Sequence, residues 1–372
     1  MILHKNLLYP THKLQKFNPQ KRSLVFLNLT GGFIALIKNF LAFTKKFIPF
    51  STTFIALKTT FISLKTTLFL FLVLFLAQPA DANGTKILFI AGNPSHGFGN
   101  HEHMGGLQLL SETISEAGLN IRTKVIREWP EDISVFDDVS AVVIFSNGAG
   151  NHPLMGHLEE FDKIMDRGVG LVTLHFAVEI PPGEPGDKFL KWQGGYFKTH
   201  WSVNPFWTAR FNEFPDHPVT NGVKPFEVHD EWYYHMRFVN NFHNITPILT
   251  DLPPPESLER EDGPHWNNPH VRQAVLVRKE PQHLAWTYER PDNGGRAFGF
   301  TGGHYHWNWG INEYRRLVSN AIVWVSGVEV PPDGVRFNPI SAIELSKTTY
   351  DPIPDDWNHE LIQSMIDAAN NK

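Results

Sequence analysis

A strict alternation that begins at Lys86 constrains this chain most. Short, unbroken apolar segments recur: "KILFIAG" at 86–92, "AVVIFS" at 141–146, "GLVTLH" at 170–175 and "RAFGFTG" at 296–302. Between them lie stretches with helical periodicity. Leu107, Leu110, Ile114 and Ala117 recur three or four residues apart. A second such stretch, at 154–167, carries Leu158, Phe161, Ile164 and Met165 and is closed by Gly168. "IRTKVI" at 121–126 supplies a strand between the two. Strands that are apolar throughout have no polar face to offer water, so both of their faces must be covered. With helices alternating between them, the chain predicts an α/β, doubly wound, mostly parallel sheet.

The middle of the chain departs from this pattern. Residues 180–270 are rich in Pro, Trp, His and Asn, with strand-like pieces such as "YYHMRF" at 233–238 and the long loop "DLPPPESLEREDGPHWNNPH". This predicts a β-rich insertion whose loops shape a site. Strands are expected again at "QAVLVR" (273–278) and "LAWTYE" (284–289), and a helix at 311–326 with Leu317, Ala321 and Trp324 on one face. The folded domain is read as 83–330. Residues 331–372, with "PPDG" and a final short helix near 357–369, are read as a C-terminal strap without chemistry.

The first 82 residues differ in kind. They carry ten Lys and Arg against one acid, Asp81, which leaves 23 basic and 37 acidic residues in 83–372, a formal charge of −14. So acidic a body disfavours nucleic acid and anionic membrane as partners. "LFLFLVLFLA" at 68–77 is an apolar run too short to span a bilayer. Lys58 and Lys65 precede it and Ala80-Asp81-Ala82 follows as an A-x-A site, the pattern of an export signal. The expected product starts near Asn83 and is periplasmic or secreted, with residues 1–50 a mis-assigned start. The alternative is an uncleaved anchor, the one route by which membrane would be a partner. The chain has no cysteine, which removes disulfides, thiolate metal sites and a Cys nucleophile.

In a doubly wound sheet, ligands bind beyond the carboxyl ends of the strands. Polar residues collect there. "GNPSHGFGNHEHMGG" after the first strand brings His96, His101, Glu102 and His103; "LHFAVE" brings His175 and Glu179; "TGGHYHWNWG" brings His304 and His306. Seventeen of the nineteen histidines lie in this part of the chain, and imidazole serves as metal ligand or as acid–base near neutrality. On a strand, His304 and His306 would share a face and could hold one divalent metal, whereas His101 and His103 at a helix start would diverge. No HExxH spacing fixes further ligands, so no cofactor is certain. "FEVHDEWYYHMRF" (226–238) places Asp230 beside Glu231; on a strand one would enter the site while the other met solvent or Arg237. "GGYFKTHWSVNPFW" (194–207) contributes Lys198 and His200, and Trp307 and Trp309 offer flat faces to a sugar. The catalytic candidates are His175, His304, Asp230 and Glu102. His96, His101, His200, Lys198, Glu231, Trp307 and Trp309 are the candidates for substrate binding.

These motifs together resemble the ThuA-like, or trehalose-utilisation, family. The resemblance rests on "LHFAVE", "GGYFKTHW", "HPVTNGVKPFEVHDEWY", "GGHYHWNWGINEYRRLVSNAIVWVSG" and the opening "FIAGNPSHGFGNHEH", from about Lys86 to Val330. It implies a flavodoxin-like fold related to class I glutamine amidotransferases. In those enzymes the fourth-strand turn holds a nucleophilic Cys; here His175 stands at that turn, and thiol chemistry is excluded. The resemblance also implies a small carbohydrate ligand and a setting of 3-keto sugars. Three readings remain open: isomerisation or elimination on a keto-sugar, glycoside hydrolysis by a carboxylate pair, and non-catalytic sugar binding.

Overall fold

The structure, a computed structural model, describes residues 84–371, so the export segment expected over 1–82 lies outside the described residues. Strand β1 (Thr85–Ala91) leads to helix α1 (His103–Ser115), β2 (Ile121–Arg127), β3 (Val139–Phe145), α2 (Leu158–Asp166), β4 (Gly170–Leu174) and α3 (Glu184–Gln193). The insertion follows as β5 (Gly195–Tyr196), β6 (Phe206–Phe211), β7 (Phe226–Glu231) and β8 (Arg237–Phe238). Regular structure resumes with β9 (Ile245–Asp251), the short helix α4 (Pro269–Arg272), β10 (Gln282–Glu289), β11 (Arg296–Phe300) and α5 (Asn312–Val325). Two C-terminal helices, α6 (Ala342–Ser346) and α7 (His359–Asn370), complete it.

Seven strands form one sheet in the order β2-β1-β3-β4-β11-β10-β9. The first five are mutually parallel, and β10 runs antiparallel between β11 and β9. Taken by rank, the parallel strands give 2-1-3-4-5, the flavodoxin-like doubly wound order. Strand β1 shows why both faces are covered. Ile87 and Phe89 join the apolar cluster under α1 and α5, while Leu88 and Ile90 join the cluster under α2 and α3; all four are fully buried. Alternate side chains of a strand point to opposite faces, so an unbroken apolar run feeds two cores at once. Each such side chain contributes about 1.5–3 kcal/mol by leaving water.

The insertion is β-rich, as the sequence implies, in two two-stranded pieces, β5-β8 and β6-β7. The structure departs from the sequence reading at two segments. "QAVLVR" is helical: Asn268 accepts hydrogen bonds from the N–H groups of His270 and Val271, Pro269 occupies the first turn, and a π-turn carries on through Gln273–Val277. An N-cap with proline behind it starts a helix, and a six-residue apolar run is too short for its periodicity to overrule that signal. Within "YYHMRF" only Arg237 and Phe238 belong to a strand, while Tyr234 forms an isolated bridge to Val203. The strap packs back on the domain. A capping box between Ser341 and Glu344 starts α6, and Ile366 of α7 is buried against Gly310. Among the described residues, no helix is long and apolar enough to cross a membrane.

Candidate metal centre

Four side chains converge beyond the carboxyl edge of the parallel strands. His101 comes from the loop after β1, His175 from the first residue after β4, His304 from the turn after β11, and Glu231 from the end of β7 in the insertion. One ligand atom from each lies within 4.8 Å of all the others, and all four residues are buried. His101 Nε2 is 3.0 Å from His175 Nε2 and 3.0 Å from His304 Nδ1. Glu231 Oε2 is 3.1 Å from His304 Nδ1 and 3.4 Å from His175 Nε2.

The backbone is bent to make this possible. His101 and His175 adopt left-handed conformations, at φ 50° and 54°. For residues with a Cβ this is strain of order 1–3 kcal/mol, and it concentrates where a site demands it. Gly303, at φ 119°, lets the chain after β11 pass the His175 Cβ, only 3.2 Å from where its own Cβ would sit. The His101 N–H donates to the His304 carbonyl, tying the two loops together.

Protons alone leave this cluster unsatisfied. The Thr301 carbonyl can only accept, so His175 Nδ1 carries the proton that it shares with Thr301, 2.8 Å away, and Nε2 faces the other donors. His101 Nε2 holds either one proton or one lone pair and so serves one of its two imidazole neighbours, not both. Burial, and then the surrounding imidazoles, push His101 far below the usual imidazole range, so it is neutral and ligand-competent. Burial alone would raise the Glu231 carboxyl. The hydrogen bonds from His175 and His304, with their charge, hold it instead at about 2. Three imidazole nitrogens and one carboxylate oxygen form a donor set that could hold a divalent transition metal.

A second layer supports the first. Asp230 is fully buried and accepts from the N–H of Gly303 (2.9 Å), His304 (3.1 Å) and Glu231 (2.8 Å), from Asn308 Nδ2 (3.0 Å) and from the Tyr314 hydroxyl (2.7 Å). The Tyr233 hydroxyl lies 3.2 Å from His175 Nε2 and 3.4 Å from Glu231 Oε2; burial raises it well above its ordinary value, so it remains a neutral phenol. His96 stacks on His101 at 3.7 Å, on the exposed side, with Nδ1 2.9 Å from Ser95 Oγ. Phe206, partly exposed, meets the His304 ring edge-on at 4.8 Å. On the remaining side Glu179 accepts from His265 at 2.8 Å, and this bond raises the His265 pKa.

The sequence-derived residues therefore divide. His101, His175, His304 and Glu231 share the centre, with His96 at its mouth and Asp230 behind it as a positioning residue, paired with neither solvent nor Arg237. Glu102 lies apart from the four donors: its two oxygens accept the N–H groups of Gly99 and Tyr350, joining the loop to the strap. His306 does not share a face with His304, because it opens a 3₁₀ turn and points to the Leu345 carbonyl and Thr348. His103 is buried against Phe145. Trp309 is fully buried against Phe145 and Tyr314, which leaves no face for a ligand. Trp307 packs on Trp357 and lines a separate cavity of about 540 Å³ with Tyr305, His229 and Met365. Lys198 and His200 follow β5, outside the four-donor cluster. Sequence reasoning passed over Tyr233, Phe206 and His265. Of these only Tyr233 left a signal, in the aromatic run beside Glu231.

No curated protein matches the chain. Among solved structures it is similar to a ThuA-like protein from Bacteroides uniformis ATCC 8492, at 16% identity and a TM-score of 0.43 over 67% of this chain and 94% of the other. A ThuA-like protein from Parabacteroides merdae ATCC 43184 is similar at 15% identity and a TM-score of 0.42, over 74% and 95%. The sequence profile of ThuA, described as trehalose utilisation, matches residues 86–325, a span that holds every strand but the first residue of β1, together with all four donors. The chain belongs to the ThuA family.

Proposed function

We propose that this chain is a metal-dependent enzyme that moves a proton at carbon in a keto-sugar or keto-glycoside, leading to isomerisation or to cleavage of the glycosidic bond. The convergence of His101, His175, His304 and Glu231 carries the reading; the family's trehalose-utilisation description supports the carbohydrate class. A divalent ion bound there would supply Lewis-acid stabilisation of negative charge on a substrate oxygen. The protein's own residues do the rest. A carbonyl at C3 acidifies the hydrogen at C2, and a neutral imidazole at the mouth can take it. His96 is so placed, and burial first and the neighbouring His304 second lower its pKa, keeping it unprotonated. Tyr233 offers a neutral O–H donor beside His175 and Glu231, and Phe206 forms an apolar rim.

The carboxylate-pair reading finds less support. Asp230 is enclosed by five donors and Glu231 is turned into the histidines, so the two do not flank a cleft as a glycosidase pair must. The proposal extends to location: the pattern over residues 58–82 supports export to the periplasm or medium, which N-terminal sequencing of secreted protein tests.

Purified protein is expected to contain about one divalent metal ion per chain, and Glu231→Gln to lose it. With a 3-keto-disaccharide in heavy water, the metal-loaded protein is expected to place deuterium at C2. Metal without exchange would overturn the chemistry and leave a sugar-binding protein; absence of metal after reconstitution would overturn the centre itself.

A further inference from the structure

A larger groove, of about 1060 Å³, opens on the insertion and shares no lining residue with the four-donor centre. Trp201, Arg237, Phe242, His270, Arg278 and His283 are among its walls. Three features set it apart from ordinary surface. Phe242 is 43% exposed and is held at φ 51°. An exposed phenyl ring is unfavourable in water, and a left-handed backbone is unfavourable for a bulky residue, so this position is doubly costly without a ligand. Two more groove residues, His235 and Asn241, are left-handed at φ 56° and 57°. Strain in non-glycine residues gathers at ligand clamps, and among the described residues His101 and His175 make a comparable pair in the candidate metal centre.

The second feature is charge. The exposed Arg237 guanidinium lies over the Trp201 ring at 5.7 Å, and among the described residues no acid pairs with it. Its neighbour Arg278 is already neutralised by Glu280. The groove thus holds one unpaired cation on a body whose formal charge is −14. The third feature is the lining. The Phe242 ring packs against Phe238 at 4.9 Å and His283 at 5.3 Å, making one aromatic wall.

We infer that this groove is a second binding site, for an anionic oligosaccharide of the uronate type. The C–H face of a sugar ring is electropositive and suits the electron-rich face of Phe242. A uronate carboxylate takes Arg237, for which a planar guanidinium is the fitting partner. Hydroxyls take the imidazole and amide groups. A ligand bearing several clustered dianionic phosphates would need more than one free cation, whereas a uronate chain can place one carboxylate on Arg237 and leave its others in water. The site is independent of the metal chemistry and would hold the enzyme on an acidic glycan.

The test is titration calorimetry on the full protein with trigalacturonate and, separately, neutral maltotriose. Trigalacturonate is expected to bind and maltotriose to bind at least about tenfold more weakly. Arg237→Gln and Phe242→Ala are expected to weaken trigalacturonate by about tenfold or more, with Phe242→Leu retaining the fold but not the ring. Glu231→Gln, at the other site, should bind trigalacturonate as the parent does. Equal binding of the two sugars would overturn the anionic class. Failure of trigalacturonate to bind, or unaltered binding in folded Arg237→Gln and Phe242→Leu, would overturn the site.

Discussion

Asp230 shows how one residue can matter to a site without touching its chemistry. Both oxygens face donors only, so the carboxylate is the hub on which the turn after β11 and the end of β7 are fixed together. Asp230→Asn preserves shape yet points an NH₂ at one of those donor groups. The unsatisfied pair is expected to cost about 1–3 kcal/mol, measured as a lowered denaturation midpoint. Metal affinity is expected to fall about 10–100-fold, as when a second layer of support is lost. An unchanged affinity would remove its positioning role. The sequence made half of this legible. Adjacent carboxylates at 230 and 231 had to diverge, and Glu231 does enter the centre. The hub was hidden because most of its partners lie between residues 303 and 314, more than seventy positions along the chain.

At the scale of elements, the parallel strands were legible because unbroken apolar runs permit few other arrangements, and the carboxyl edge told where the histidines would gather. What misled was local. The "HYH" pair invites a strand, but the two glycines before it end β11 at Phe300, and a 3₁₀ turn at His306–Gly310 rotates the second histidine to the strap. The strap itself was read as inert. Instead, Tyr350 donates its N–H to Glu102 and its hydroxyl to the Gly92 carbonyl, on the loop that bears His96 and His101. Glu102→Ala frees the buried Gly99 N–H and the half-buried Tyr350 N–H and uncouples loop from strap. Stability is expected to fall by about 1–3 kcal/mol, and more in metal-loaded than in metal-free protein, because the loop supplies a ligand. Urea denaturation of both forms checks this; an equal loss in both would confine Glu102 to the fold.

For the molecule as a whole, the sheet and the insertion meet across the centre, and the His265–Glu179 bond is one of the ties between them. The bond raises the His265 pKa from its ordinary value of 6.5. A group whose pKa is raised on folding adds stability that is complete below the unfolded value and is lost as pH climbs through the folded one. The tie is therefore strongest below about pH 6.5 and weakens on the alkaline side. His265→Gln is expected to lower the melting temperature under mildly acidic conditions and to leave it nearly unchanged above the raised value. A pH-independent difference between the two proteins would exclude the ion pair as the cause. The insertion as such was visible in composition, but its partnership with the sheet was not, since residues 179 and 265 carry no common pattern.

The wide spacing of the four donors also has a consequence in time. Their ligand atoms come from positions 101, 175, 231 and 304, and the latch that steadies the first of them comes from position 350. No shorter nascent segment contains the complete set, so a growing chain cannot present the centre until residue 304 has been made, nor its latch until residue 350. Long-range closure of this kind comes late in folding, and tight metal capture must wait for it. Any ion taken up at the proposed centre would therefore be chosen where the chain folds, after the donors and their latch have come together.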